Sequence, residues 1–146
     1  TFESVDLAKT RLLCEEALGF DCAQLGPDRL IMRHGSDRDG GTYWVLEALA
    51  VAEVRTPQNV TNHWGIWVKG RAAVEDAYAL LDGNKEKYGL LRVQNPRTTH
   101  EDGRDYSFYF EDIGNVWWEI VEHPDEDEFM GLFDHGDWDR QEGGGT

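Results

Sequence analysis

Hydrophobic and polar positions along residues 1–49 follow a strand–helix–strand–strand–strand order. The first five residues, TFESV, are typical of the end of a strand. Asp6 is placed to cap a helix from Leu7 to Leu18, which Gly19 can end. Three short strand-like runs follow, at Asp21–Leu25, Arg29–Arg33 and Thr42–Glu47. Residues 50–61, which include Pro57 and many polar side chains, are predicted to be a linker.

The same order of elements recurs in residues 62–122. A strand is predicted at His63–Val68, followed by a helix from Arg71 to about Lys87 whose apolar residues have the i, i+3, i+4, i+7 spacing. Three more strands are predicted, near Leu90–Val93, Tyr106–Phe110 and Val116–Val121. Each βαβββ module would leave one sheet face uncovered, so we expect the two to pair with their helices outside. The sequence therefore predicts one α+β domain over residues 1–146, with an acidic tail at 123–146.

Composition and charge narrow the class of protein. The chain has 146 residues, 40% of them apolar, which suits one globular domain with a single core. The formal net charge of −15 disfavours nucleic acid and anionic membranes as partners and favours solubility or a cationic ligand. No apolar run approaches the roughly 20 residues of a membrane helix, so we expect a cytoplasmic protein. The only cysteines, Cys14 and Cys22, match no zinc motif and are expected to be buried free thiols.

Three segments carry a resemblance to a known family. They are DLAKTRLLCEEALGF, NHWGIWV and FYFEDIGNVWWEI, in this order. With them the chain resembles the vicinal-oxygen-chelate superfamily, which includes glyoxalase I, fosfomycin- and bleomycin-resistance proteins, and extradiol dioxygenases. The resemblance covers nearly the whole chain and implies that the two modules form a half-barrel cleft. It implies an activity less firmly, because members include enzymes and binding proteins. Modules pair within or between chains in this superfamily, and we expect a homodimer.

His63 and Glu119 are the candidate metal ligands. Side chains alternate along a strand, so His63 shares a face with Trp67, and Glu119 shares one with Trp117. If both faces line the cleft, an imidazole and a carboxylate converge in a set that suits Fe(II), Mn(II) or Zn(II). The alternative is a core histidine and a charge at a strand edge.

The resemblance implies a third metal ligand in module one. That ligand is a His two positions before Thr1, outside this sequence. Glu47 ends the last strand of module one as Glu119 ends that of module two. It could replace the His in a glyoxalase-like arrangement, although a plain polar residue is the alternative.

The segment from Thr98 to Glu119 resembles the signature of extradiol dioxygenases. His100 is followed by Phe108-Tyr109, then by Asp112, and Glu119 closes the run. Two positions depart from the pattern, with Ile113 in place of Pro and Asn115 in place of Gly or Pro. The resemblance implies that His100 stabilises oxygen and delivers a proton, and that Tyr109 hydrogen-bonds a substrate oxygen. A loop histidine and a packed core tyrosine are the alternatives.

The expected function is an Fe(II)-dependent extradiol dioxygenase that cleaves a catechol-type ring with O2. Trp67 and Trp117 fall on the same alternation as the two ligands, so they could line the cavity and stack on an aromatic substrate. A glyoxalase-type metal-dependent isomerase or lyase is the first alternative. The second is a metal-free binding protein that sequesters a cationic aromatic drug.

Overall fold

The computed structural model describes residues 1–35, 43–98 and 106–123. Module one contains β1 (Phe2–Ser4), α1 (Leu7–Leu12), a π-helical turn (Leu13–Ala17), β2 (Asp21–Gln24), β3 (Arg29–Gly35) and β4 (Tyr43–Ala50). A 3-10 turn at Val60–Asn62 leads into module two. Module two contains β5 (Trp64–Val68), α2 (Gly70–Gly83), α3 (Lys85–Tyr88), β6 (Arg92–Val93), β7 (Arg97–Thr98), β8 (Tyr106–Glu111) and β9 (Trp117–Glu122). None of the helices in these ranges is long and apolar enough to cross a bilayer.

The two sheets have the same strand order, as the repeated pattern predicts. Module one has the order β1-β4-β3-β2, and module two has β5-β9-β8-β6 with β7 also paired to β8. In each module the first strand lies parallel to the last, with Ser4 opposite Ala50 and Val68 opposite Glu122. Counted from these pairs, Glu47 and Glu119 occupy equivalent positions. The α+β class and the two βαβββ modules are therefore confirmed.

The first predicted helix is present but changes its winding. Asp6 caps it, since its carboxylate accepts from the backbone N–H of Lys9 at 3.1 Å. After Leu12 the helix widens into the π turn, and Leu13 and Cys14 within it are both fully buried. Gly19 follows with φ 72°, a left-handed conformation that glycine adopts without strain.

Other boundaries differ from the prediction for local reasons. β4 reaches Ala50 rather than Glu47, because it continues to pair with β1 there. The second helix stops at Gly83, because the Asn84 side-chain amide donates to Leu80 O at 2.8 Å and its backbone leaves the helical region. The strand predicted from Leu90 is only Arg92–Val93, since Leu90 N donates to the carbonyl of Lys85, the first residue of α3, and so still belongs to the turn that ends this helix. β7 was not predicted at all.

One hydrophobic cluster joins the two modules. It combines residues of the π turn, β3 and β4 with residues of α2, β8 and β9. Phe2 and Trp44 of module one both contact the Trp64 ring of module two edge-on, at ring-centroid distances of 5.6 and 6.4 Å. The helices pack on the face of each sheet that carries the core residues. The opposite face of the module-two sheet, the cleft face, carries the candidate site.

Candidate metal and substrate site

Strand pairing brings the predicted site residues onto the cleft face of module two. Glu119 lies opposite Gly65 on β5 and opposite Tyr109 on β8. Paired residues on neighbouring strands project to the same side, so Tyr109 and Glu119 share a face. The alternate residues Trp118 and Ile120 are buried in the core. This pairing is the reason why residues far apart in sequence meet.

His63 and Glu119 are in direct contact. The imidazole Nε2 lies 3.1 Å from Glu119 Oε2, and the side chains are 28% and 13% exposed. The other ring nitrogen, Nδ1, lies 2.8 Å from the carbonyl oxygen of Val60 in the preceding 3-10 turn. A carbonyl oxygen only accepts, so Nδ1 carries a hydrogen and donates it. Nε2 therefore faces the carboxylate, where it either donates the second proton of an imidazolium or offers its lone pair to a cation between the two groups.

A positive charge belongs between the imidazole and the carboxylate, either as an imidazolium proton or as a bound metal cation. A lone pair and a carboxylate repel each other at 3.1 Å unless a proton or a metal cation lies between them. Two donors bound to one cation at about 2.1 Å, with an angle of about 90–110°, lie roughly 3.0–3.4 Å apart. The observed separation falls in that range. A backbone carbonyl on the second ring nitrogen is also what orients metal-binding histidines.

The surroundings of the pair leave room for a ligand and provide aromatic walls. The ring of Tyr109 meets that of His63 edge-on, with centroids 5.0 Å apart. A Cβ added at Gly65 would find nothing within 4 Å, so the face is open beside Glu119. Trp67 is 47% exposed on this face, whereas Trp117 is buried and lies under the Arg92 guanidinium. Strand alternation puts both on the cleft face, and their contact with a substrate stays a prediction.

Two residues of this face were not singled out from the sequence. Ser107 lies opposite Val121, is fully buried, and its hydroxyl has no hydrogen-bond partner among the described residues. His123 contacts the Trp67 ring edge-on, with centroids 5.2 Å apart. The sequence contained the information needed to find both. Ser107 precedes Tyr109 by two residues and His123 follows Glu119 by four, so each has the spacing of the same strand face. Strand alternation therefore places them on the cleft face.

Glu47 occupies the matching position in module one but has other partners. Its carboxylate accepts from Arg29 and from the Thr1 hydroxyl, the latter at 3.0 Å. The Arg29 and Thr1 hydrogen bonds hold the pKa of Glu47 below its usual value. Within the described residues, no three His, Cys, Asp or Glu side chains converge as a metal centre. His100 lies outside the described residues, as does the acidic tail from residue 124 onward.

The turn between β8 and β9 fixes the strand that carries Glu119. Asp112 is buried there and accepts from the backbone N–H groups of Gly114 and Val116, at 2.8 and 3.1 Å. Its other oxygen accepts from the Trp118 indole at 2.9 Å. Burial raises the pKa of Asp112 to about 6. The Asn115 residue, which departs from the signature, has φ 55° and closes the turn.

Solved structures with the same architecture include a possible glyoxalase from Bacillus cereus, 21% identical with a TM-score of 0.61 over 82% of this chain and 92% of that one. The fold is that of the glyoxalase/bleomycin resistance/dioxygenase proteins. A protein of that description from Nocardioides is 14% identical, with a TM-score of 0.57 over 83% of this chain and 78% of that one. The fosfomycin resistance protein FosX from Mesorhizobium loti is 19% identical, with a TM-score of 0.56 over 88% and 92%. No protein-family model matches the chain, and no curated protein matches it.

Proposed function

We propose that this protein is a metal-dependent enzyme whose His63–Glu119 pair binds a divalent cation. Two adjacent oxygens of a small substrate would chelate that cation. The observation that carries the proposal is the hydrogen bond from His63 Nδ1 to Val60 O, which turns Nε2 toward a carboxylate 3.1 Å away. A divalent cation in this position would polarise substrate oxygens and hold two reactants together. Fe(II) is the first choice, with Mn(II) or Zn(II) as alternatives.

Extradiol cleavage of a catechol-type diol is the reaction we favour. The edge-on contact between Tyr109 and His63 supports it, because the signature implies a tyrosine that hydrogen-bonds a substrate oxygen beside the ligands. In this reading Tyr109 orients the diol, and the open space at Gly65 admits it. The exposed ring of Trp67 would stack on the aromatic guest. His100 is retained as the proton donor on sequence grounds alone.

A glyoxalase-type isomerase or lyase is the second candidate. It is favoured by the shared architecture with the possible glyoxalase and with FosX. In that reading Glu47 would be a ligand and would have to give up its bonds to Arg29 and Thr1. The two candidates therefore differ in what they require of one carboxylate.

Metal titration of three variants tests the metal site. We expect His63→Ala and Glu119→Ala to lower the affinity for Fe(II), Mn(II) or Zn(II) by on the order of 100-fold or more, because each removes a ligand. Glu47→Ala is the matched control, since it removes the equivalent carboxylate of module one. It should bind metal like the wild type if Glu47 is no ligand. Unchanged binding in both His63→Ala and Glu119→Ala would refute the site.

Two activity assays on the metal-loaded protein then separate the reactions. Oxygen consumption and coloured ring-opened products with a panel of catechols would support the dioxygenase. Isomerisation of a hemithioacetal without oxygen uptake, lost in Glu47→Ala, would support the glyoxalase type instead. Binding of a cationic aromatic drug by a protein that takes up no metal would overturn both and support the sequestering protein.

A further inference from the structure

The two cysteines of the chain meet at the edge of module one, far from the His63–Glu119 pair in sequence. Cys14 lies in the π turn and Cys22 in β2, the edge strand of the sheet. The two thiols are close enough to shift each other's pKa, with that of Cys22 lowered and that of Cys14 raised. Cys14 Sγ also lies 3.3 Å from Met32 Sδ, and Met32 is the partner of Cys22 on the neighbouring strand. Three sulfur atoms are thus gathered on adjacent elements.

The local backbone holds the two thiols together. The π turn widens the helix at Cys14, and Phe20 N donates to Cys14 O at 2.9 Å across the Gly19 turn. Gly19 has a positive φ of 72°, which lets the chain reverse immediately and enter β2. As a result, residues only eight positions apart face each other from a helix and a strand.

The environments of the two thiols differ in a way that suits stepwise oxidation. Cys14 is fully buried, whereas Cys22 is half-buried at the open edge of the sheet. The interaction with Cys14 lowers the pKa of Cys22, the Arg11 guanidinium acts in the same direction, and partial burial opposes both without cancelling them. The same interaction, together with burial, raises the pKa of Cys14. Thiolate character and access therefore favour Cys22 as the attacking sulfur.

We propose that Cys14 and Cys22 form a peroxide-reactive dithiol that closes into an intrachain disulfide in the folded protein. The Cys22 thiolate attacks one oxygen of hydrogen peroxide, the O–O bond breaks, and hydroxide leaves, which gives a sulfenic acid on Cys22. Cys14 sulfur then attacks Cys22 sulfur, the S–O bond breaks, and water leaves with the Cys14 proton. The two thiols lose two electrons in total, and peroxide is reduced to two waters. The disulfide forms when the two sulfurs close to about 2.05 Å, and their shared neighbour Met32 already holds both near that position.

Intact-mass measurement of the reduced native protein tests this directly. After treatment with hydrogen peroxide and alkylation of the remaining thiols, we expect a species about 2 Da lighter than the reduced chain, without alkyl label and restored by dithiothreitol. The chain has no other cysteine, so each lost thiol belongs to the pair. Digestion with trypsin and a glutamate-specific protease cuts at Glu15 and Glu16 between the cysteines. A linked pair of peptides then identifies the bond.

Two variants separate the roles of the sulfurs. Cys14→Ser should stop at a sulfenic acid on Cys22 that dimedone traps, and Cys22→Ser should leave the buried Cys14 unmodified. Retention of both thiols in the folded wild type, under conditions that oxidise the urea-unfolded chain, would overturn the proposal. So would a disulfide that forms only between two chains, seen as a dimer on non-reducing gels. The metal site takes no part in this test, so either proposal can fail without the other.

Discussion

Asp112 is the buried carboxylate on which the candidate site depends indirectly. It accepts three hydrogen bonds, two from the backbone of its own turn and one from Trp118. Trp118 immediately precedes Glu119, so Asp112 holds together the turn and the strand that carries the candidate ligand. Burial opposes the charge on Asp112, while the three donors favour it, and burial has the larger effect because its pKa is raised to about 6.

The raised pKa predicts an unusual dependence of stability on pH. The folded state holds the Asp112 proton more tightly than the unfolded chain, whose pKa is near 3.8, so stability is lost as pH rises from about 4 to 6. Asp112→Asn removes this titration. The difference in unfolding free energy, wild type minus variant, should therefore fall by about 3 kcal/mol across that range. Urea titrations of both proteins at several pH values measure it. A difference that grows with pH would mean that the hydrogen bonds outweigh burial.

Tyr109→Phe separates the hydroxyl of this residue from its ring. The phenyl ring keeps the edge-on contact with His63, so metal affinity should match that of the wild type. Loss of one hydrogen bond to a charged substrate oxygen should lower kcat/KM by about 10- to 100-fold. Parallel metal titration and catechol turnover give the two values. Weakened metal binding together with unchanged turnover per bound metal would make Tyr109 a packing residue.

At the scale of elements, the sequence located the strands that carry the site better than the boundaries around them. Periodicity placed Glu119 on the cleft face because alternation in β9 is regular. It could not foresee the break at Asn84, which follows from a side-chain bond to Leu80 O. Nor could it foresee β7, two residues long and defined only by its pairing with β8. The contact of His63 with Val60 lay equally beyond reach, since it comes from a 3-10 turn inside the predicted linker.

The β8–β9 turn also makes a close contact with module one. A Cβ at Gly114 would overlap the carbonyl oxygen of Glu3 in β1, and backbone cannot move aside as a side chain can. We expect Gly114→Ala to lower the unfolding free energy by about 2 kcal/mol, as for other overpacked positions. Gly83→Ala is the control, because a Cβ there meets nothing within 4 Å and α2 gains a better helix former. Thermal melts of equal stability for the two variants would contradict this contact.

At the scale of the whole molecule, the described parts of both modules share one core. Phe2, Trp44 and Trp64 link them, and the buried clusters are continuous. A shared core of this size should unfold in one cooperative step. We therefore expect tryptophan fluorescence and far-ultraviolet circular dichroism to give the same urea midpoint. Two separated midpoints would show that the modules unfold independently.

The internal repeat places two equivalent glutamates in the chain, but only one of them belongs to the candidate site. A chain of two equivalent modules offers two equivalent carboxylates, yet only Glu119 faces an imidazole, while Glu47 faces Arg29. The net charge of −15 comes from acidic residues spread over the chain and marks neither position. The side chain that faces each carboxylate, rather than composition, distinguishes them.

The ion pair between Glu47 and Arg29 affects which of the two modules a cation would bind. Module two offers a carboxylate beside an imidazole, which is an established type of metal ligand, and module one offers a carboxylate already paired with a permanently charged guanidinium. Without that ion pair, the two equivalent carboxylates would compete for the same cation. If Glu119 binds a cation, as we propose, the ion pair with Arg29 would keep the equivalent carboxylate of module one from competing for it.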